Sequence, residues 1–154
     1  MYETQRAEAT QHLTQILFMT YMEKYRKRLE RRHYINSARD PRQKGEHWYD
    51  INVQKYEKYR SEYGDGFCIV LICSDTPSHD DAYVLPVKDI KGLFRPEYVK
   101  REDDQRWMGH VKNEEIAVEV EGRPVATIPI RKYYNAFGLL QDAPPYDPEP
   151  TEYV

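Results

Sequence analysis

The seven residues Phe67-Cys68-Ile69-Val70-Leu71-Ile72-Cys73 form an uninterrupted apolar run. The run is short, rich in branched side chains and bounded by Gly66 and Asp75, the signature of a strand buried on both faces. A strand of that kind needs cover above and below, so the rest of the chain is read as supplying it. A polar loop from Ser74 to Asp81 follows. Ala82-Tyr83-Val84-Leu85-Pro86 then returns as a second strand, ending at a residue that cannot donate to a ladder.

A chain of 154 residues suits one domain, expected over residues 1–140. Only 40% of the residues are apolar, but 14 are tyrosines, so the core is expected to contain many rings with a polar tip. Cys68 and Cys73 stand on opposite faces of the proposed strand and cannot reach each other. Two buried free thiols suggest a reducing compartment. No apolar run approaches the ~20 residues of a membrane span, and Met1-Tyr2-Glu3-Thr4-Gln5-Arg6 is neither a signal nor a transit peptide, so the expected location is cytoplasmic.

Residues 3 to 33 contain no Gly or Pro and read as one long helix. In its second half Phe18, Met22, Tyr25 and Leu29 share one face, and Lys24, Lys27, Arg28 and Arg31 share the opposite one. Residues 21–44 carry nine Lys or Arg against three acids, whereas the net charge of the whole chain is −3. A locally basic arm on an acidic body is compatible with a polyanionic partner, and equally with a solvated face. Ile35 to Gly45 lacks periodicity and reads as a loop that extends the basic stripe through Arg39, Arg42 and Lys44.

Trp48 to Val53 alternates as a half-buried strand, with Tyr49, Ile51 and Val53 on one side. Asn52 stands where an N-cap belongs, and Val53 to Tyr63 reads as a helix with Tyr56, Tyr59 and Tyr63 on one face. That ring stripe suits a core more readily than a base-stacking platform. Lys88 to Phe94 reads as a short helix. Arg106 to Val111, Glu115 to Val120 and Arg123 to Ile130 read as strands, the last two joined by a hairpin at Glu121-Gly122. Pro124 and Pro129, together with Glu119 and Glu121, make the final strand an edge. Arg131 to Leu140 is expected to pack back as a helical turn, and residues 141–154, with four acids and no base, form an acidic Pro-rich tail. The expected fold is α+β: a long N-terminal helix on a mixed, mostly antiparallel sheet of about five or six strands, with short helices and a disordered tail.

Asp75, His79, Asp80 and Asp81 could hold a divalent metal with Glu46 or Asp50 nearby, which would make a metal-dependent hydrolase. Asp, Ser and Pro are also what a turn requires. No phosphate-binding loop, dinucleotide fingerprint, nucleophile elbow or zinc-type spacing occurs, and no residue pattern calls for a cofactor.

The order Trp48-Tyr49-Asp50-Ile51-Asn52-Val53, a helix with Tyr56 and Tyr59, the strands Phe67 to Cys73 and Tyr83 to Val87, the Asp-Ile-Lys-Gly-Leu-Phe helix and the closing Lys-Tyr-Tyr-Asn-Ala-Phe-Gly-Leu-Leu resembles the C-terminal half of restriction-endonuclease-like (PD-(D/E)XK) domains, over residues 47–140. In that family an acid and a Glu-x-Lys hold metal and activate water. The corresponding segment Glu46-His47-Trp48-Tyr49-Asp50 has no lysine two places after an acid. The resemblance therefore implies a shortened, non-cleaving relative that binds nucleic acid in a restriction or defence setting. Lys24, Lys27, Arg28, Arg31, Arg32, Arg39, Arg42 and Lys44 would contact phosphates, and Tyr34 and Trp48 bases or sugar. The alternative is an interaction subunit offering Phe18, Met22, Tyr25 and Leu29 to a second copy or another protein.

Overall fold

The central strand is where the apolar run places it. The computed structural model of the chain describes residues 19–73, 80–100 and 105–146. Strand β3 (Cys68–Ile72) lies in the middle of a three-stranded sheet, parallel to β1 (Tyr34–Ser37) on one side and antiparallel to β4 (Ala82–Pro86) on the other. Successive side chains of β3 enter two separate cores. Ile69, Leu71 and Cys73 join one, and Cys68 and Val70 join the other. Both cysteines are buried free thiols on opposite faces, as expected, and burial pushes the Cys68 thiol up to about 11.

Helix α1 (Tyr21–Leu29) covers one face of this sheet. It is much shorter than residues 3 to 33. Thr20 has extended backbone (φ −66°, ψ 161°) and its hydroxyl accepts from the Glu23 N–H, so the described helix begins at a cap where the apolar spacing alone had run straight through. Residues 1–18, Phe18 among them, lie outside the described residues. At the other end the helix stops at Glu30, and Arg26 closes on Glu30 at 2.7 Å.

Met22 and Leu29 are buried against Val70 and Val84, with Tyr25 packed beside them. The face expected to meet a second copy is thus part of the domain's own core. Residues 141–146 complete this layer instead of standing apart as tail. The Tyr146 ring packs against Tyr21 and Phe137, and the Tyr21 hydroxyl donates to the Pro144 carbonyl at 2.6 Å. Desolvation in this cluster raises the Tyr21 phenol to about 12. Residues 147–154 are outside the described residues.

The opposite face of the three-stranded sheet meets a second sheet. Strands β2 (His47–Asn52), β5 (Arg106–Lys112), β6 (Glu115–Val120) and β7 (Arg123–Pro129) pair antiparallel in that order. Tyr49, Ile51, Trp107, Val111, Ile116 and Val118 point inward from them. The expected single sheet of five or six strands is therefore two sheets with seven strands between them. The main omission in the sequence reading is β1, three of whose four residues fall in the stretch read as loop from Ile35. Four residues are too few to show a period, and Tyr34 and Ile35 enter opposite cores, so no alternation between apolar and polar marks the strand.

Helix α2 (Val53–Tyr63) keeps its expected bounds, and the Asn52 side chain accepts from the Lys55 N–H at 2.8 Å. Its Tyr56 ring is buried among Phe67, Phe94 and Trp107, with Tyr59 and Tyr63 half-buried beside the core. Helix α3 (Val87–Ile90) runs into a 3₁₀ turn at Lys91–Leu93, and three further 3₁₀ turns occupy Pro96–Tyr98, Arg131–Tyr133 and Phe137–Leu139. The hairpin at Glu121-Gly122 forms with φ +53° and +77°, and β7 is the exposed edge that its prolines indicated.

Candidate nucleic-acid interface

Half of the second sheet's side chains have no layer of described residues over them. The residues of β2 and β5 that alternate with the inward set, Trp48 and Asp50 with Met108 and His110, are exposed or half-buried. Cross-strand register sets Trp48 opposite His110, His110 opposite Ala117, and Ala117 opposite Thr127, a row running across all four strands. The adjacent row carries Asp50, Met108 and Glu119.

Trp48, 41% exposed, meets the His110 ring at 5.2 Å with the planes 63° apart. It is also clamped by a two-way backbone bridge to Arg39, whose N–H donates to the Trp48 carbonyl at 2.9 Å and whose carbonyl accepts from the Trp48 N–H at 2.7 Å. This bridge anchors the loop that follows. The Asp40 carboxylate accepts from the Lys44 and Gly45 backbone N–H groups at 3.0 and 2.7 Å, bonds that also hold its carboxyl below the usual range. Arg39, Arg42 and Lys44 stand exposed, Arg39 bridged to Trp48 at the sheet edge and Arg42 and Lys44 on the loop between those two residues.

Two hollows flank the Trp48–His110 pair. The larger, about 580 Å³, is lined by Asn36, Ser37, Arg39, Pro41, Trp48, Asp50 and Met108. The smaller, about 250 Å³, is lined by His110, Lys112, Glu115, Ala117, Pro124 and Thr127. Ala117 sits between His110 and Thr127, and its short side chain leaves a dip among larger neighbours. Arg106 meets Asp50 at 3.3 Å across the strands, which balances one acid on the face.

Of the ten residues expected at a nucleic-acid site, the fold gathers four: Arg39, Arg42, Lys44 and Trp48. Lys24, Lys27 and Arg28 are exposed on α1, which lies on the other side of the three-stranded sheet from β2, and Arg31 is exposed in the turn just after that helix. Arg32 is withdrawn from that stripe, its guanidinium stacked 4.0 Å over the Tyr63 ring. Tyr34 is not available to a ligand. It is 4% exposed, its oxygen accepts from the Asn52 N–H at 3.0 Å, and Lys55 stacks over its ring.

Asp80 takes the Tyr21 backbone N–H at 2.7 Å, an N-terminal contact of α1, and burial raises its carboxyl. Asp75 and His79 lie outside the described residues, among which no cluster of three His, Cys, Asp or Glu side chains is arranged to hold a metal. Asp50 belongs to the second sheet and Glu46 directly precedes its strand β2, which pairs with β5 and not with β3.

His110, Glu119 and Met108 were missed in the sequence. The alternation in Trp107-Met108-Gly109-His110-Val111 marks Met108 and His110 as outward, but only the register brings His110 beside Trp48 and Glu119. No described helix is long and apolar enough to cross a membrane. Comparison with protein-family models, with characterised proteins and with solved structures finds no match to this chain.

Proposed function

We propose that the chain binds single-stranded nucleic acid across the face of its second sheet that no described layer covers, in the restriction or defence setting that its resemblance to restriction-endonuclease-like domains implies. The observation that carries this reading is Trp48, an exposed indole on a sheet face that no described layer covers, fixed by backbone bonds to Arg39, with Arg42 and Lys44 exposed on the loop between those two residues. An aromatic plane beside a cationic loop is the combination that stacks a base while its backbone phosphates meet positive charge. The larger hollow adds Asn36, Ser37 and Asp50 as polar groups within reach of base edges. The cations of α1 belong to a separate surface and are left out of the site.

Fluorescence anisotropy with labelled single-stranded RNA and DNA, at low and moderate salt, tests the reading. Binding is expected to weaken with salt. Trp48→Ala should cost about 1–3 kcal/mol of affinity, and reversing Arg39, Arg42 and Lys44 to Glu should abolish binding. Reversing Lys24, Lys27, Arg28 and Arg31 should leave affinity within about twofold, because that face is remote from the groove. The opposite pattern, with α1 sensitive and Trp48 indifferent, would move the site to the helix and sink this assignment.

A further inference from the structure

The smaller hollow contains a histidine set up as proton-transfer residues are. His110 Nδ1 lies 2.7 Å from Glu119 Oε2, with Glu46 Oε1 at 3.9 Å on the same side. The Glu119 side chain is only 10% exposed, and the β5–β6 register puts Glu119 opposite Met108, diagonal to His110 on the same face. With Nδ1–H donated to a carboxylate, the neutral imidazole carries its lone pair on Nε2. No described residue bonds that nitrogen, and His110 lines the hollow together with Lys112 and Thr127. Orientation of the ring is thus provided by one nitrogen while the other is left for a ligand.

We propose that His110 and Glu119 form an acid–base centre that cleaves single-stranded RNA held on Trp48, a deeper reading of the binding function above that rests on it. RNA carries its own nucleophile, so the protein has to supply only proton transfer and charge neutralisation. His110 Nε2 takes the proton of a ribose 2′-hydroxyl. The 2′-oxygen bonds to phosphorus, and the P–O5′ bond breaks. The departing 5′-oxygen takes a proton from the Lys112 ammonium, and solvent carries the proton from the imidazolium back to the lysine. The products are a 2′,3′-cyclic phosphate and a 5′-hydroxyl, with no co-reactant consumed. His110 is the catalytic residue, and Glu119 positions it.

The test uses the full chain in EDTA with a labelled single-stranded RNA and the same sequence carrying 2′-O-methyl groups, reading binding by anisotropy and cutting on a gel. The RNA is expected to be cut to cyclic-phosphate ends, and the 2′-O-methyl strand to be bound but uncut. His110→Ala, purified in parallel and checked for an unchanged melting temperature, should cut at least about 100-fold more slowly. Glu119→Gln should slow cutting and move the acid limb of the pH–rate profile, which a purely structural carboxylate would not do. Binding of RNA without cutting, or equal cutting by His110→Ala, overturns the centre and leaves the binding function standing. Absence of binding by either strand overturns both.

Discussion

The two sheets share one core but are built on opposite plans. The central strand of the three-stranded sheet is covered on both faces and reads as a continuous apolar run. The four-stranded sheet is covered on one face, and β2 and β5 alternate. A strand with two dry faces has no position left for chemistry, because any polar side chain there would need a buried partner. A strand with one dry face can devote every second residue to a ligand without disturbing its packing. Every side chain invoked above for binding or cleavage comes from the second sheet, β1 or the loop joining them.

This contrast is broken most severely at the centre of the first sheet. Leu71 is fully buried, and Leu71→Ala should cost about 2–5 kcal/mol, read as a lowered denaturation midpoint in urea at unchanged slope. Next comes Gly109, on the inward side of β5. The Tyr49 hydroxyl passes over it to donate to the Ala117 carbonyl at 2.8 Å. A Cβ added at Gly109 would stand 1.8 Å from that carbonyl oxygen and 2.8 Å from the Tyr49 hydroxyl. Gly109→Ala should therefore cost roughly 1–3 kcal/mol or more, and because Gly109 lies between Met108 and His110 it should also disturb the outer face. A variant as stable as the parent would show that the close approach is not required.

A smaller, pH-dependent effect comes from His33. It is fully buried, its Nδ1 accepts from the Cys68 N–H at 3.0 Å, and Nε2 faces the Gln141 carbonyl at 3.3 Å. Desolvation holds its pKa below 6.5, and a proton on Nδ1 would oppose the Cys68 donor. Above about pH 6.5 neither state is protonated and the contribution is whole. As pH falls through that value the unfolded chain gains a proton that the folded chain refuses, so stability declines by up to about 1.4 kcal/mol per pH unit until the folded pKa is reached. Asp80, with a raised carboxyl, acts in the reverse sense: its share is present at low pH and is lost as pH rises through its folded value. Urea titrations between pH 7 and 5 should show the decline, and His33→Gln should flatten it. The smallest expected effect is the most diagnostic. Trp48→Ala should change stability by no more than about 0.5 kcal/mol while lowering affinity, which would separate the outer face from the core. A large loss of stability would make Trp48 a packing residue.

Local signals accounted for much of the fold. Asn52 at an N-cap, Glu121-Gly122 at a hairpin and prolines on an edge strand each act through neighbours within a few residues, and each is found as expected. The errors arose where one sequence pattern has two outcomes. An amphipathic stretch with no Gly or Pro does not reveal that Thr20 is the cap of α1, and Tyr34, placed among the ligand contacts, is a core ring. Of the site, Trp48, Arg39, Arg42 and Lys44 were legible as an exposed ring and exposed charges close together in the chain. His110 and Glu119 were not, since their distance from Trp48 depends on pairing between separate strands.

What the amino-acid sequence determined by itself was the central strand, the opposite-facing cysteines, α2 with its cap and the edge character of β7. All of these follow from the pleat, from the helical period and from backbone groups that must be satisfied nearby. The tertiary structure alone decided that the strands divide into two sheets, that α1 and the Trp48 face lie on opposite sides of the first sheet, and that His110 sits between Trp48 and Glu119. These depend on register and sheet membership, which are set by the packing of residues distant in sequence, and a shift of one residue would turn the same strands inside out.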